Sequence, residues 1–243
     1  MPVTRAEFAK QYRNLIEGRS FVEHQDYYKR SIDRFWKAFD KLQMLDLPSH
    51  ITAIDIGGGI MAVLLSKILG IKSYVGDVNE CAAADVQDFG IDFRLVDLTS
   101  DEGALDDMFD LVVLQEVIEH LPQPPYVVFQ RIMRFLKPNG LLFVTTPNGS
   151  RVRNILYMLA GKAVLDNFRY PAPGESLGHQ QEYVLPQLIW QLEKAGMVPI
   201  FAEQYDDGWK GATQVAHISH LLLKSANVFP HLRSGLMIAA RRA

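Results

Sequence analysis

A chain of 243 residues, 48% apolar and 22% charged, can bury a full core as one elaborated domain or as a domain and a half, and its composition is that of an ordinary soluble globular protein. The formal charge of -3 argues against a broad electrostatic grip on nucleic acid, and the single cysteine, Cys81, excludes an internal disulfide framework and suits a reducing compartment. The opening MPVTRAEFAKQYRN has no apolar signal core, and no apolar run approaches the roughly 18 residues that cross a bilayer, so the expected location is cytoplasmic.

Residues 1–48 read as a helical cap. Ser20 with Glu23 makes a capping-box start, after which Phe21, Tyr28, Ile32, Phe35, Trp36, Phe39 and Leu42 recur at helical spacing until Pro48. From residue 49 the pattern alternates: ITAIDI, a helix from about residue 60, KSYVG, a short helix near residue 80, IDFRLV, DLVVL, a helix through YVVFQRIMRFL, and LLFVTT. Short β-rich apolar runs separated by helices predict a parallel, doubly wound α/β sheet. Pro138-Asn139-Gly140 is expected to turn the last of these helices into its strand. After Pro147 the rhythm changes, and residues 148–178 form an insertion expected to act as a lid over the carboxyl edge of the sheet. VLPQLIWQLEKAG predicts a helix, MVPIFAEQY a strand, and a last helix is expected before LMIAARR. The expected division is a cap at 1–48 and a domain at 49–243.

Gly57, Gly59 and Ala62 match the G-x-G-x-x-G/A fingerprint that follows the first strand of a dinucleotide-binding fold. Neighbouring charge decides which nucleotide suits it. Asp55 precedes the glycines, and Asp77, Asp97 and Glu116 end or closely follow the next three strands. A pyrophosphate would meet Asp55 and Glu116 as like charges in a partly dehydrated crevice. A ligand carrying an ammonium and a sulfonium would be attracted there, which points to S-adenosylmethionine.

The series DIGGG, GDV, VDL, FDLVVLQEVIEHL and LKPNGLLFVTTPN resembles the motif set of class I S-adenosylmethionine-dependent methyltransferases, and within them the group containing the ubiquinone-biosynthesis O-methyltransferases. The resemblance covers roughly residues 49–200. It implies a Rossmann-like sheet of seven strands, mostly parallel with an antiparallel C-terminal strand. It also implies that Asp55, Gly57, Gly58 and Gly59 surround the methionine part of the cofactor, and that Asp77, with Val78 beside it, holds the ribose hydroxyls. Asp97 and Leu98 would receive the adenine, and Gln115 and Glu116 would lie under the sulfonium. The family usually carries a small residue where this chain has Met61, so Met61 is expected to narrow the methionine pocket. The aromatic residues Tyr12, Phe21, Tyr27 and Tyr28 are expected to close over the cofactor from the other side.

Methyl transfer from a sulfonium requires alignment and, for a hydroxyl or ammonium acceptor, removal of a proton. Glu116, Glu119 and His120 would share one face if a helix begins at Gln115, and His179 falls near the same rim. His120, His179 and Glu116 are therefore the candidate catalytic groups. Together Glu116, Glu119, His120 and His179 could hold a divalent Mg, Mn or Zn that acidifies a bound hydroxyl. The spacing E-x-x-E-H, then H-x-x-E-aromatic, resembles the metal site of small-RNA 3′-end 2′-O-methyltransferases. A metal-free base or substrate contact at either histidine is the competing reading. Arg151, Arg153, Lys162 and Arg169 among apolar residues suggest either peripheral membrane contact or, with better support, a helix covering the acceptor pocket. The leading expectation is a small-molecule O-methyltransferase. A metal-dependent RNA methyltransferase and a non-catalytic methyltransferase-like scaffold are the alternatives.

Overall fold

The apolar runs pair as the alternation predicts. In the computed structural model the described residues are 2–17, 19, 25–45, 47, 50–100, 105–165, 178–206 and 229–243. Their strands are β1 (Thr52–Ile56), β2 (Lys72–Asp77), β3 (Asp92–Leu95), β4 (Phe109–Gln115), β5 (Leu136–Pro147), β6 (Met197–Tyr205) and β7 (Gly235–Arg242), in the order β3-β2-β1-β4-β5-β7-β6. β1 through β5 run parallel, whereas β7 lies antiparallel between β5 and β6. Strand order reverses between β1 and β4, and ligands of open α/β sheets bind at the carboxyl ends beside such a reversal.

Helices α1 (Arg5–Ile16), α2 (Gln25–Met44), α3 (Ile60–Leu69), α4 (Cys81–Gln87), α5 (Pro125–Phe135), α6 (Val152–Leu159) and α7 (Leu185–Lys194) complete the described elements together with two short 3-10 turns. Strand alternation assigns the two faces. Ala53, Val75, Leu111, Val113 and Phe143 pack with Phe8, Tyr12, Phe39 and Leu64 of α1, α2 and α3. Ile54, Val112, Leu114, Leu142 and Ile238 pack on the other side with Phe129, Ile132, Leu188 and Leu192 of α5 and α7. Both faces of the central strands are thus covered, which is why β1 and β4 read as continuous apolar runs.

Several boundaries differ from expectation. The N-terminal segment forms two helices, the first started by a capping box in which Thr4 Oγ1 accepts the Glu7 N–H and Glu7 Oε2 accepts the Thr4 N–H at 2.9 Å. The proposed Ser20–Glu23 start lies outside the described residues, as does the helix expected before the last strand. Pro138-Asn139-Gly140 falls within β5, with Asn139 at φ 64° opposite a register shift between Phe109 and Leu111 of β4. The turn is absorbed as a distortion at the strand's entry. Among the described residues no helix is long and apolar enough to cross a membrane.

Candidate active site

β1 delivers the chain into three successive glycines with positive φ: Gly57 at 92°, Gly58 at 134° and Gly59 at 76°. L-residues avoid such a run, and glycine adopts it without a Cβ clash. A Cβ on Gly57 would lie 2.3 Å from Val117 Cγ2, and one on Gly59 would lie 2.9 Å from Val75 Cγ2, whereas Gly58 faces open space. The outer glycines therefore let the turn close against its neighbours, and the middle one leaves its backbone accessible.

The rim carboxylates occupy different surroundings. Asp55 is buried beneath the turn, where its Oδ2 accepts the Ala62 N–H at 3.1 Å. Desolvation pushes its pKa up to about 7, against the pull of the Ala62 and Met61 amides. Asp77 ends β2 half-buried, with Oδ1 accepting the Asn79 N–H at 2.8 Å, and burial raises its pKa as well. Val78 beside it is exposed, while Leu98 is buried. Asp97 Oδ1 accepts both the amide and the hydroxyl of Thr99, each at 2.7 Å. Burial acts to raise its pKa, but those bonds, Ser100 and the Arg131 charge together hold it below the usual carboxylate range. Gln115, the last residue of β4, has both side-chain amide atoms buried without a hydrogen-bond partner among the described residues. An orphaned buried donor or acceptor costs about 1–3 kcal/mol, so this pair calls for a polar ligand. An amino acid's ammonium and carboxylate fit such an amide, and the methionine end of S-adenosylmethionine carries both.

Met61 does not narrow that space. Its side chain is fully buried in the core shared by α3 and the N-terminal helices. Tyr12 and Tyr28 likewise belong to this core, with the Tyr12 hydroxyl donating to the Tyr28 carbonyl, so they do not close over a cofactor. Phe21 lies outside the described residues.

The loop after β4 separates the two glutamates. Glu116 takes φ 54°, and a 3-10 turn over Ile118–His120 follows instead of an α-helix starting at Gln115. The expected single helical face is therefore lost. Glu116 pairs with Arg34 Nη1 of α2 at 3.1 Å and accepts the Thr145 hydroxyl at 2.9 Å. It does not join the convergent group of potential metal ligands, which comprises Glu119, His120 and His179.

Within that group one ligand atom from each residue lies within 4.8 Å of the others. Glu119 is buried; its Oε2 accepts the Thr146 hydroxyl at 2.9 Å, while its Oε1 has no hydrogen-bond partner among the described residues. Burial, reinforced by Glu116, raises its pKa well above the ordinary value. His120 Nδ1 lies 2.8 Å from the Gly178 carbonyl oxygen. Carbonyl oxygens only accept, so the proton sits on Nδ1 and Nε2 carries the lone pair. His179 Nδ1 contacts Glu182 Oε1 at 3.0 Å, which places its proton the same way. Burial acts to raise the Glu182 pKa, but His179, Arg151 and Asn154 outweigh it and keep that carboxylate ionised. The two imidazoles meet edge to face, centroids 4.8 Å apart. Glu119 Oε1 stands 3.9 Å from His120 Nε2. Mixed imidazole and carboxylate ligation suits a borderline or hard ion.

Arg34, Thr145, Thr146, Asn154 and Glu182 contribute contacts that the residue patterns did not single out by role. Glu182 was visible in the H-x-x-E spacing after His179, and Arg34 as a cation on the otherwise apolar stripe of α2. On α6, Met158 and Leu159 are 60% and 80% exposed, and Arg153 and Lys162 sit over the Tyr157 ring. The expected cover helix thus leaves part of its apolar surface outward.

A doubly wound sheet with a glycine turn and a ring of carboxylates at its reversal point defines a nucleotide-binding fold of the S-adenosylmethionine-dependent methyltransferase kind. A protein-family profile described as "Methyltransferase domain" matches residues 21–200. The chain belongs to that family. It is 29% identical over 150 residues to the ubiquinone biosynthesis O-methyltransferase of Colwellia psychrerythraea, covering 56% of this chain and 60% of that enzyme. The match thus spans three-fifths of the relative's length. In fold it resembles an S-adenosylmethionine-dependent methyltransferase from Archaeoglobus fulgidus, with TM-score 0.58, 15% identity, and coverage of 86% of this chain and 94% of that one. The [4+2]-cyclase SpnF matches as well, with TM-score 0.59, 18% identity, and coverage of 88% and 82%. These structural likenesses concern the fold, and the side chains must carry the chemistry.

Proposed function

We propose that this chain transfers a methyl group from S-adenosylmethionine to a hydroxyl oxygen of a small-molecule acceptor, with Glu119, His120 and His179 holding a divalent Mg, Mn or Zn beside it. The observation that carries this reading is the gathering of ligand atoms of Glu119, His120 and His179 within 4.8 Å of one another, around a buried glutamate whose Oε1 has no hydrogen-bond partner among the described residues. The name of the Colwellia relative supports oxygen as the acceptor atom.

In the reaction the acceptor's O–H bond breaks, an O–CH3 bond forms, the CH3–S bond breaks and a neutral thioether leaves. The sulfonium supplies an activated methyl, so the protein's tasks are alignment and proton removal. Gln115 and the glycine turn orient the methionine end, and Asp77 takes the ribose hydroxyls. Asp97 and Leu98 flank the adenine. Glu116, tied to Arg34 and Thr145, keeps negative charge near the sulfonium end. When bound, a divalent cation would lower the pKa of a coordinated hydroxyl. The Gly178 carbonyl and Glu182 hold the Nδ1–H of the two imidazoles, so Nε2 is the nitrogen that would ligate or accept the proton.

Assaying methyl transfer to simple catechols tests the reading. Activity should fall with a chelator, return with Mg or Mn, and drop about 100-fold in His120→Ala while cofactor affinity stays near wild type. Transfer indifferent to both the chelator and the substitution removes the cluster from the mechanism.

A further inference from the structure

The described segments 148–154 and 178–183 share a polar network larger than a simple loop contact needs. Glu182 is almost wholly buried, and its carboxylate is fully engaged. Oε1 takes the Nδ1–H of His179 at 3.0 Å together with the Arg151 guanidinium, and Oε2 takes the Asn154 side-chain N–H at 2.7 Å. Asn154 is completely buried on the first turn of α6. Its Nδ2 also donates to the Gly149 carbonyl at 2.9 Å, and its Oδ1 accepts Arg151 Nε at 3.3 Å. Every bond fixes which way the amide faces.

The scaffold behind these side chains is itself tied down. Gly149 N donates to the Tyr183 carbonyl at 2.8 Å, and a Cβ on Gly149 would stand 3.1 Å from the Glu182 carbonyl oxygen. Asn148 donates to the His231 and Arg233 carbonyls at 2.9 and 2.8 Å while its Oδ1 caps Ser150. Thus the turn entering α6 is braced, Asn154 and Arg151 project from it, and Glu182 passes the constraint to one ring nitrogen of His179.

We propose that Asn154 and Arg151, acting through Glu182, are positioning residues that set the orientation and tautomer of His179 and so aim its Nε2 at Glu119 and His120. The inference rests on reading that cluster as the site where the acceptor's proton is handled. Partners of this kind on the far nitrogen of a ligating histidine typically change metal affinity by about 10–100-fold when removed. His120 is held differently, by the Gly178 backbone carbonyl, so side-chain substitutions in the relay leave it as an internal reference.

Long-range proton–nitrogen spectra of the imidazoles in the full chain, at about pH 8 where free histidine is neutral, read the tautomer directly. Wild type should show His179 protonated on Nδ1. Asn154→Ala and Glu182→Gln should convert it to a tautomer mixture while His120 is unchanged. Calorimetric titration with Co2+ as the probe should show affinity falling about 10–100-fold in both variants, with S-adenosylmethionine affinity within about threefold of wild type. Wild-type tautomer and wild-type Co2+ affinity in the variants would overturn the relay. If wild type binds no Co2+ yet the variants scramble the His179 tautomer, the relay stands and the cation reading fails. Should Glu182→Gln not fold, Arg151→Lys carries the test, because it keeps the charge and loses the fork. An unaltered His179 signal there, together with an unaltered one in Asn154→Ala, counts against the proposal.

Discussion

At Gly57 the backbone takes φ 92°, and an added methyl would stand 2.3 Å from Val117 Cγ2. Gly57→Ala combines that clash with left-handed strain, so we expect at least a tenfold loss of S-adenosylmethionine affinity and a lowered melting temperature, read by calorimetry and thermal unfolding. Asp55 poses a different test at the same scale. Its folded pKa of about 7 exceeds the ordinary 3.8, so its contribution to stability is fully present below the lower value and is lost as pH rises through the upper one. Asp55→Asn removes this dependence. The variant should gain on wild type across that window by on the order of 1 kcal/mol per pH unit at most, measured as the difference between urea unfolding curves. A difference that stays flat with pH would mean that desolvation does not dominate at Asp55. Glu119 shifts in the same direction in both proteins, so the comparison isolates the substituted group.

Between elements, the contact that matters most near the site is the one least visible in the sequence. Arg34 reaches from α2 to Glu116 just beyond β4, and both side chains are largely shielded from water. Removing one member of such a pair leaves the other desolvated. Arg34→Ala should therefore cost about 1–3 kcal/mol in chemical unfolding, and adding Glu116→Gln should recover much of it. Additive losses would instead assign the cost to packing of the Arg34 stem. The sequence placed Arg34 on a helix, but the residue across from it is 82 positions away, and no periodicity encodes that distance. The loop after β4 shows the same limit. An α-helix through 115–121 and a left-handed residue followed by a 3-10 turn are both compatible with QEVIEHL. Packing against Thr145 and Thr146 of β5 separates the two glutamates, one bonded to each hydroxyl.

Across the whole molecule, β1, β2 and β4 bring Asp55, Asp77 and Glu116 to one edge of the sheet at its reversal point. A ligand that binds only the folded chain must raise its stability. S-adenosylmethionine at 100 times its dissociation constant should add about 2.7 kcal/mol, or roughly 5–10 °C in melting temperature at this chain length. NAD at the same concentration should add nothing measurable. The reverse result would remove the electrostatic basis of the cofactor assignment. The alternation of strands and helices, the glycine turn and the succession of carboxylates were legible from residue order, because apolar periodicity, glycine φ and strand-end charge are local properties repeated at regular intervals. Tertiary structure decided which of those groups meet: it took Glu116 out of the histidine cluster, sent Met61 into the core, and placed Asn154 behind His179 through Glu182. Those outcomes depend on burial and on hydrogen-bond partners distant in the chain, and both come into being only when the sheet and its covering helices close around them.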